Sequence, residues 1–106
     1  MKIAITSTGN FPGANMDLRF GRCSYFVIFD TEKQSTEYIP NTNKENIEGA
    51  GQDSIKFLAN KDVKKVISGE YGIKVKSIAD SLKIQLIIMP DQSKTVQDII
   101  DYFIKP

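Results

Sequence analysis

The chain has no histidine, no tryptophan and a single cysteine in 106 residues, and these absences remove most common catalytic chemistry. Without histidine there is no Ser-His-Asp triad, no Cys-His pair and no histidine-rich zinc site. One cysteine cannot close an intrachain disulfide or supply a four-thiolate cluster cradle. The chain also lacks an excess of charge. Fourteen basic residues against thirteen acidic ones leave a formal net charge of +1, so no global basic field exists for nucleic acid and any anion site must be local. No apolar run approaches the roughly 20 residues that span a bilayer. The opening Lys2-Ile3-Ala4-Ile5 does not read as a signal peptide. The expectation is one cytoplasmic domain over residues 1–106, with no nucleic-acid or membrane partner and no enzymatic activity.

What is present is concentrated in residues 20–30, Phe-Gly-Arg-Cys-Ser-Tyr-Phe-Val-Ile-Phe-Asp. Two cations, Arg19 and Arg22, and the only thiol, Cys23, surround Gly21. The β-branched and aromatic run that follows has the composition of a buried strand. A polar turn is thus held directly by the core, an arrangement suited to a rigid binding site.

Periodicity orders the rest. Residues 2–6 read as a first strand, residues 25–30 as a second and residues 34–39 as a third, the last two forming an antiparallel hairpin around Thr31-Glu32-Lys33. A helix opens at Gly51, with Ile55, Phe57 and Leu58 on its apolar face. Residues 63–68 form a strand. A helix over residues 73–82 turns Ile73, Val75, Ile78, Ala79 and Leu82 inward. Residues 84–89 form the last strand, and a helix capped by Ser93 or Thr95 presents Val96, Ile99, Ile100 and Phe103. The order βββαβαβα implies a mixed sheet covered by helices on both faces, with Ile3, Ile5, Phe26, Ile28, Val66, Ile67, Ile87 and Ile88 buried.

Several segments have more than one use. Thr6-Ser7-Thr8-Gly9-Asn10 partly matches a flavodoxin phosphate loop, but Phe11-Pro12-Gly13 follows where a helix should begin, so neither flavin nor nucleotide is expected. Gly49-Ala50-Gly51 is either a plain helix approach or an open anion-binding helix end. Ser68-Gly69-Glu70-Tyr71-Gly72 is either an ordinary turn or part of the strand edge where ligands gather in open α/β sheets. Cys23 is either a small buried apolar residue or a thiolate ligand for a soft metal. Met16 is either a second soft donor or a packing residue.

Together these pieces resemble the dinitrogenase iron–molybdenum cofactor biosynthesis family, which includes NifX-like accessory proteins and the C-terminal domain of NifB-like proteins. The resemblance is carried by Ser7 after the first strand, Phe20-Gly21-Arg22-Cys23 leading into Tyr25-Phe26-Val27-Ile28, Gly49-Ala50-Gly51, and Val66-Ile67-Ser68-Gly69 before Gly72. It implies a ribonuclease H-like α/β/α fold whose five-stranded sheet has the order 3-2-1-4-5 with the second strand antiparallel. It also implies binding or carrying of iron–molybdenum cofactor, a precursor or a related metal–sulfur cluster, with cluster-assembly or acceptor proteins as partners. The alternative is a protein-binding assembly or regulatory module without metal. The implied cofactor-binding set is Arg19, Gly21, Arg22, Cys23, Gly49, Gly51, Ser68, Gly69 and Gly72, with Cys23 as the metal ligand. Arg19 stands where family members usually carry histidine, and it would hold a polyanion by charge-assisted hydrogen bonds. If Arg19, Arg22 and Cys23 share one pocket, the thiol titrates below its reference value of about 8.5.

Overall fold

Alternation along the strands decides which side of the sheet each residue feeds. In the computed structural model, which describes residues 1–46 and 48–104, the elements run β1 (Lys2–Ser7), β2 (Tyr25–Asp30), β3 (Ser35–Pro40), α1 (Ala50–Asn60), β4 (Val63–Ser68), α2 (Val75–Ser81), β5 (Gln85–Ile88) and α3 (Val96–Ile104). The sheet order is β3-β2-β1-β4-β5. β2 is antiparallel to both of its neighbours, and β4 is parallel to β1 and β5. This is the mixed topology the sequence pattern implies.

Ala4, Phe26, Ile28 and Val66 point to one face and pack with Ile55 and Leu58 of α1 and Val75 and Ala79 of α2. Ile3, Ile5, Val27, Phe29 and Ile67 point to the other and pack with Val96, Ile99 and Ile100 of α3. The central strands β1, β2 and β4 are therefore apolar on both faces, as a sheet between two helical layers requires. Local chemistry fixes the ends. Asp30 Oδ1 accepts the amides of Glu32 and Lys33 in the hairpin turn. Thr95 is the N-cap of α3: its hydroxyl accepts the Asp98 amide, and Asp98 returns a carboxylate to the Thr95 amide, a reciprocal cap. Among the described residues no helix is long and apolar enough to cross a membrane.

Three expected core positions are corrected. Ile73 is 98 % exposed because α2 starts only at Val75, which leaves Ile73 on the preceding turn. Leu82, at the C-cap of the same helix, is 38 % exposed. Ile88 is 66 % exposed because it ends β5, a four-residue edge strand with a neighbour on one side only.

The fold predicts a contrast. Ile67, fully buried between β1 and β5, should lose about 2–5 kcal/mol on truncation to Ala. Ile88→Ala should lie within about 0.5 kcal/mol of wild type. Urea unfolding of both variants checks this.

Candidate functional site

Residues 8–24 leave the carboxyl end of β1 and cross the top of the sheet before entering β2, and hydrogen bonds pin this long loop throughout. The amide of Met16 donates to the carbonyl of Lys94 (2.9 Å), and that of Asp17 to the carbonyl of Thr6 (2.9 Å). The Thr6 hydroxyl lies 2.6 Å from the Asp17 carbonyl oxygen and 2.9 Å from Ser68 Oγ, so buried Ser68 is tied into the sheet end. The Phe20 amide donates to the Glu70 carbonyl (3.2 Å). Gly69 belongs to this packing, since a Cβ there would fall 2.8 Å from Leu18 Cα and carbonyl oxygen.

Phe20 then drops into the core against Tyr71 and Phe26, with ring centroids 5.3 and 5.9 Å apart. The Tyr71 hydroxyl lies 3.0 Å from the Val66 carbonyl oxygen and 2.7 Å from that of Ile87. With Phe20 anchored, Gly21 turns the chain at φ 92° and lays its backbone on the first turn of α1. A Cβ on Gly21 would stand 2.8 Å from both N and Cα of Gly51, so neither the conformation nor the space admits a side chain.

Two side chains cross-tie this turn to the segment that follows β3. Asn41, almost fully buried, donates Nδ2 to the carbonyls of Gly21 and Cys23 (both 3.0 Å), and its Oδ1 accepts the Asn43 amide (3.0 Å). In return Arg22 donates Nη1 to the carbonyls of Lys44 (2.7 Å) and Asn46.

The turn separates two clefts. One, of about 330 Å³, is lined by Phe20, Arg22, residues 48–52 and residues 72–75. It brings together Arg22, Gly49, Gly51 and Gly72 from the expected set, and the structure adds Lys74 and Glu48. Gly49 is the N-cap of α1, no side chain caps that helix, and its first residues, Gly49, Ala50 and Gly51, line the cleft. The other cleft, of about 390 Å³, is lined by Thr8, Met16, Asp17, Leu18, Arg19, Glu70 and Gln92. Arg19 therefore lines a different cleft from Arg22. Asp17 Oδ1 accepts its backbone amide (2.9 Å) and lies 3.5 Å from its Nε.

Cys23 lies in neither cleft. It is fully buried among the α1 and α2 core residues, and burial, helped by the negative charge of Asp17, pushes its thiol up to about 12. The expected depressed thiol is thus reversed, because the guanidinium groups that were to lower it point elsewhere. Met16 is likewise buried. Sequence reasoning missed Asn41, Asp17 and Lys74. Only Asn41 carries a local signal, an Asx-type residue directly after Pro40, where such side chains hold turns.

These elements make a small α/β domain with a loop-lined cleft at one end of its mixed sheet. The profile of the dinitrogenase iron-molybdenum cofactor family matches residues 1–105, and the chain belongs to that family. An uncharacterized protein of Methanocaldococcus jannaschii is 32 % identical over 89 residues, 81 % of this chain and 72 % of that one. The apo form of the orange protein from Desulfovibrio gigas is similar in structure, with TM-score 0.88 and 26 % identity over 96 % of this chain and 85 % of that one. A putative NifB protein from Thermotoga gives TM-score 0.81 and 28 % identity over the same shares, 96 % and 85 %.

Two outcomes follow. Gly21→Ala should destabilise by at least about 2 kcal/mol in urea unfolding, from left-handed backbone strain plus the clash with Gly51. Gly72→Ala should be near neutral, since its Cβ would meet Val75 Cγ2 at an ordinary 3.8 Å. For Cys23 the folded chain keeps its thiol proton to about pH 12, whereas a thiol at the ordinary value of 9.0 ionises first in the unfolded chain. Stability contributed by the buried thiol is therefore complete below pH 9 and lost as pH rises through that window. Wild type should lose up to about 1.4 kcal/mol per pH unit more than Cys23→Ala above pH 9. Parallel pH dependences for the two proteins would show an accessible, normally titrating thiol.

Proposed function

We propose that this protein is a non-enzymatic binder or carrier of an anionic metal–sulfur cluster, of the iron–molybdenum cofactor, precursor or related type that its family is named for. The observation that carries this reading is the cleft beside Arg22. There the uncapped amino end of α1 presents backbone amides and the positive end of the helix dipole, beside Arg22 and Lys74. Among the residues that line the cleft the two cations outnumber Glu48, and the carboxylate of Asp53 in the first turn of α1 is engaged by the side-chain amide of Asn46. The cleft beside Arg19 has Asp17 and Glu70 against one cation, a poor setting for a polyanion. The cleft beside Arg22, of about 330 Å³, suits a compact inorganic cargo.

The cargo is held by amides and cations, and Cys23 serves as a core residue rather than as its ligand. Gly49, Gly51 and Gly72 keep the walls free of side chains. Gly21, Ser68 and Gly69 shape the loop behind them, and Arg19 braces that loop through Asp17. Donor and acceptor proteins of cluster assembly are the partners this role requires.

A second reading, a protein-binding module without metal, is favoured by one feature. Ile73 and Ile88 stand exposed beside a groove of about 490 Å³ along the free edge of β5. Anaerobic reconstitution with iron, sulfide and molybdate, followed by desalting and metal analysis, separates the two. The cluster reading predicts retained molybdenum or iron in wild type and in Cys23→Ala, with loss in Lys74→Glu. A metal-free wild-type protein would favour the module. Loss of metal in Cys23→Ala, with folding intact, would return the thiol to the site.

A further inference from the structure

The reciprocal ties between the turn at residues 20–23 and the segment at residues 41–46 differ in kind. Asn41 is buried and neutral, and it binds two carbonyls of the turn at 3.0 Å each. Arg22 is half-buried, lines the cleft, and has among its partners two neutral carbonyls, those of Lys44 and Asn46. A guanidinium binds an anion's oxygen or sulfur more strongly than a neutral carbonyl, because both partners are then charged. The first tie has no reason to break when an anion enters the cleft. The second has a direct competitor.

We infer that Arg22 is an exchangeable tie: a multiply charged anion in the cleft draws its guanidinium from the carbonyls of Lys44 and Asn46, so that ligand binding loosens residues 43–46. Asn41 is the positioning residue that keeps the turn in place while this happens. The coupling makes Arg22 a specificity-determining residue, because an ion of low charge gains too little to displace it from carbonyls it already holds. The inference rests on the anion-binding cleft described above.

The structure supplies its own reporters. The amide of Asn43 is held by Asn41 Oδ1 (3.0 Å), and that of Asn46 by the carbonyl of Asn43 (3.0 Å). Both hydrogen bonds lie inside the segment that Arg22 pins. The experiment is amide hydrogen exchange by nuclear magnetic resonance, with and without tetrathiomolybdate under anaerobic conditions. Chemical-shift changes at Gly49, Gly51 and Gly72 report occupancy of the cleft. The expected result is such shifts together with about tenfold faster exchange at Asn43 and Asn46, the factor for losing one charge-assisted hydrogen bond. Sulfate at equal concentration should not produce the acceleration. Arg22→Ala, which removes the donor to both carbonyls, should exchange fast at Asn43 and Asn46 already without the probe. Shifts in the cleft with unchanged or slower exchange would overturn the exchangeable tie and leave the anion site standing. No shift at Gly49, Gly51 or Gly72 would overturn the site, and the tie with it.

Discussion

Two glycines placed back to back, Gly21 in the turn before β2 and Gly51 in the first turn of α1, set the geometry on which the site depends. Their backbones approach so closely that a single Cβ on Gly21 would sit 2.8 Å from the nitrogen of Gly51. That contact brings a polar turn against a helix amino end without intervening side chains. It also sets where the neighbours fall. Phe20 goes down into the core, Arg22 swings over the helix end, and Cys23 is carried under the sheet's edge into apolar packing. Residues adjacent in sequence are thereby sent to three different environments.

This dispersal explains the electrostatics. Arg19 and Arg22 are three positions apart, yet they face clefts of opposite character. Arg19 stays with the acids Asp17 and Glu70, where its charge is balanced locally. Arg22 and Lys74 stand beside the amino end of α1, which no side chain caps, with Glu48 as the acid in the same lining. A cysteine sealed between these regions feels burial first and the carboxylate of Asp17 second, and both effects keep it protonated. On the proposed reading, with no histidine and no exposed thiol, charge and hydrogen bonding do the work of holding a cluster.

The fold was legible because it rests on period and composition. Runs such as Phe26-Val27-Ile28-Phe29 and Lys65-Val66-Ile67 carry apolar residues on both faces, which marks central strands. The hairpin and the βα order then leave few topologies. Misjudged positions lie at element ends: a residue such as Ile73 belongs to a helical stripe only if the helix begins before it, and the terminus is where propensity says least. The site was legible in part. Glycines at positions 21, 49, 51 and 72 mark places where backbones approach or side chains are unwelcome, and that constraint shows in one dimension. The direction of a side chain leaving a turn does not. Arg19, Arg22 and Cys23 look like one cluster along the chain, and only φ at Gly21 and the grip of Asn41 separate them. The partnership of Asn41 with a turn twenty residues away had no pattern to reveal it.

On the proposed reading an anionic cluster is held by amides and cations over the amino end of α1, and not by the thiol. Anomalous diffraction at the molybdenum edge, from crystals loaded anaerobically with tetrathiomolybdate, locates the metal without assumptions about its ligands. The expected result is one dominant peak in the cleft bounded by Arg22, Gly49, Gly51, Gly72 and Lys74, with Cys23 still buried in the core. A peak bonded to Cys23 Sγ, or one in the cleft between Asp17, Arg19 and Glu70, would contradict it.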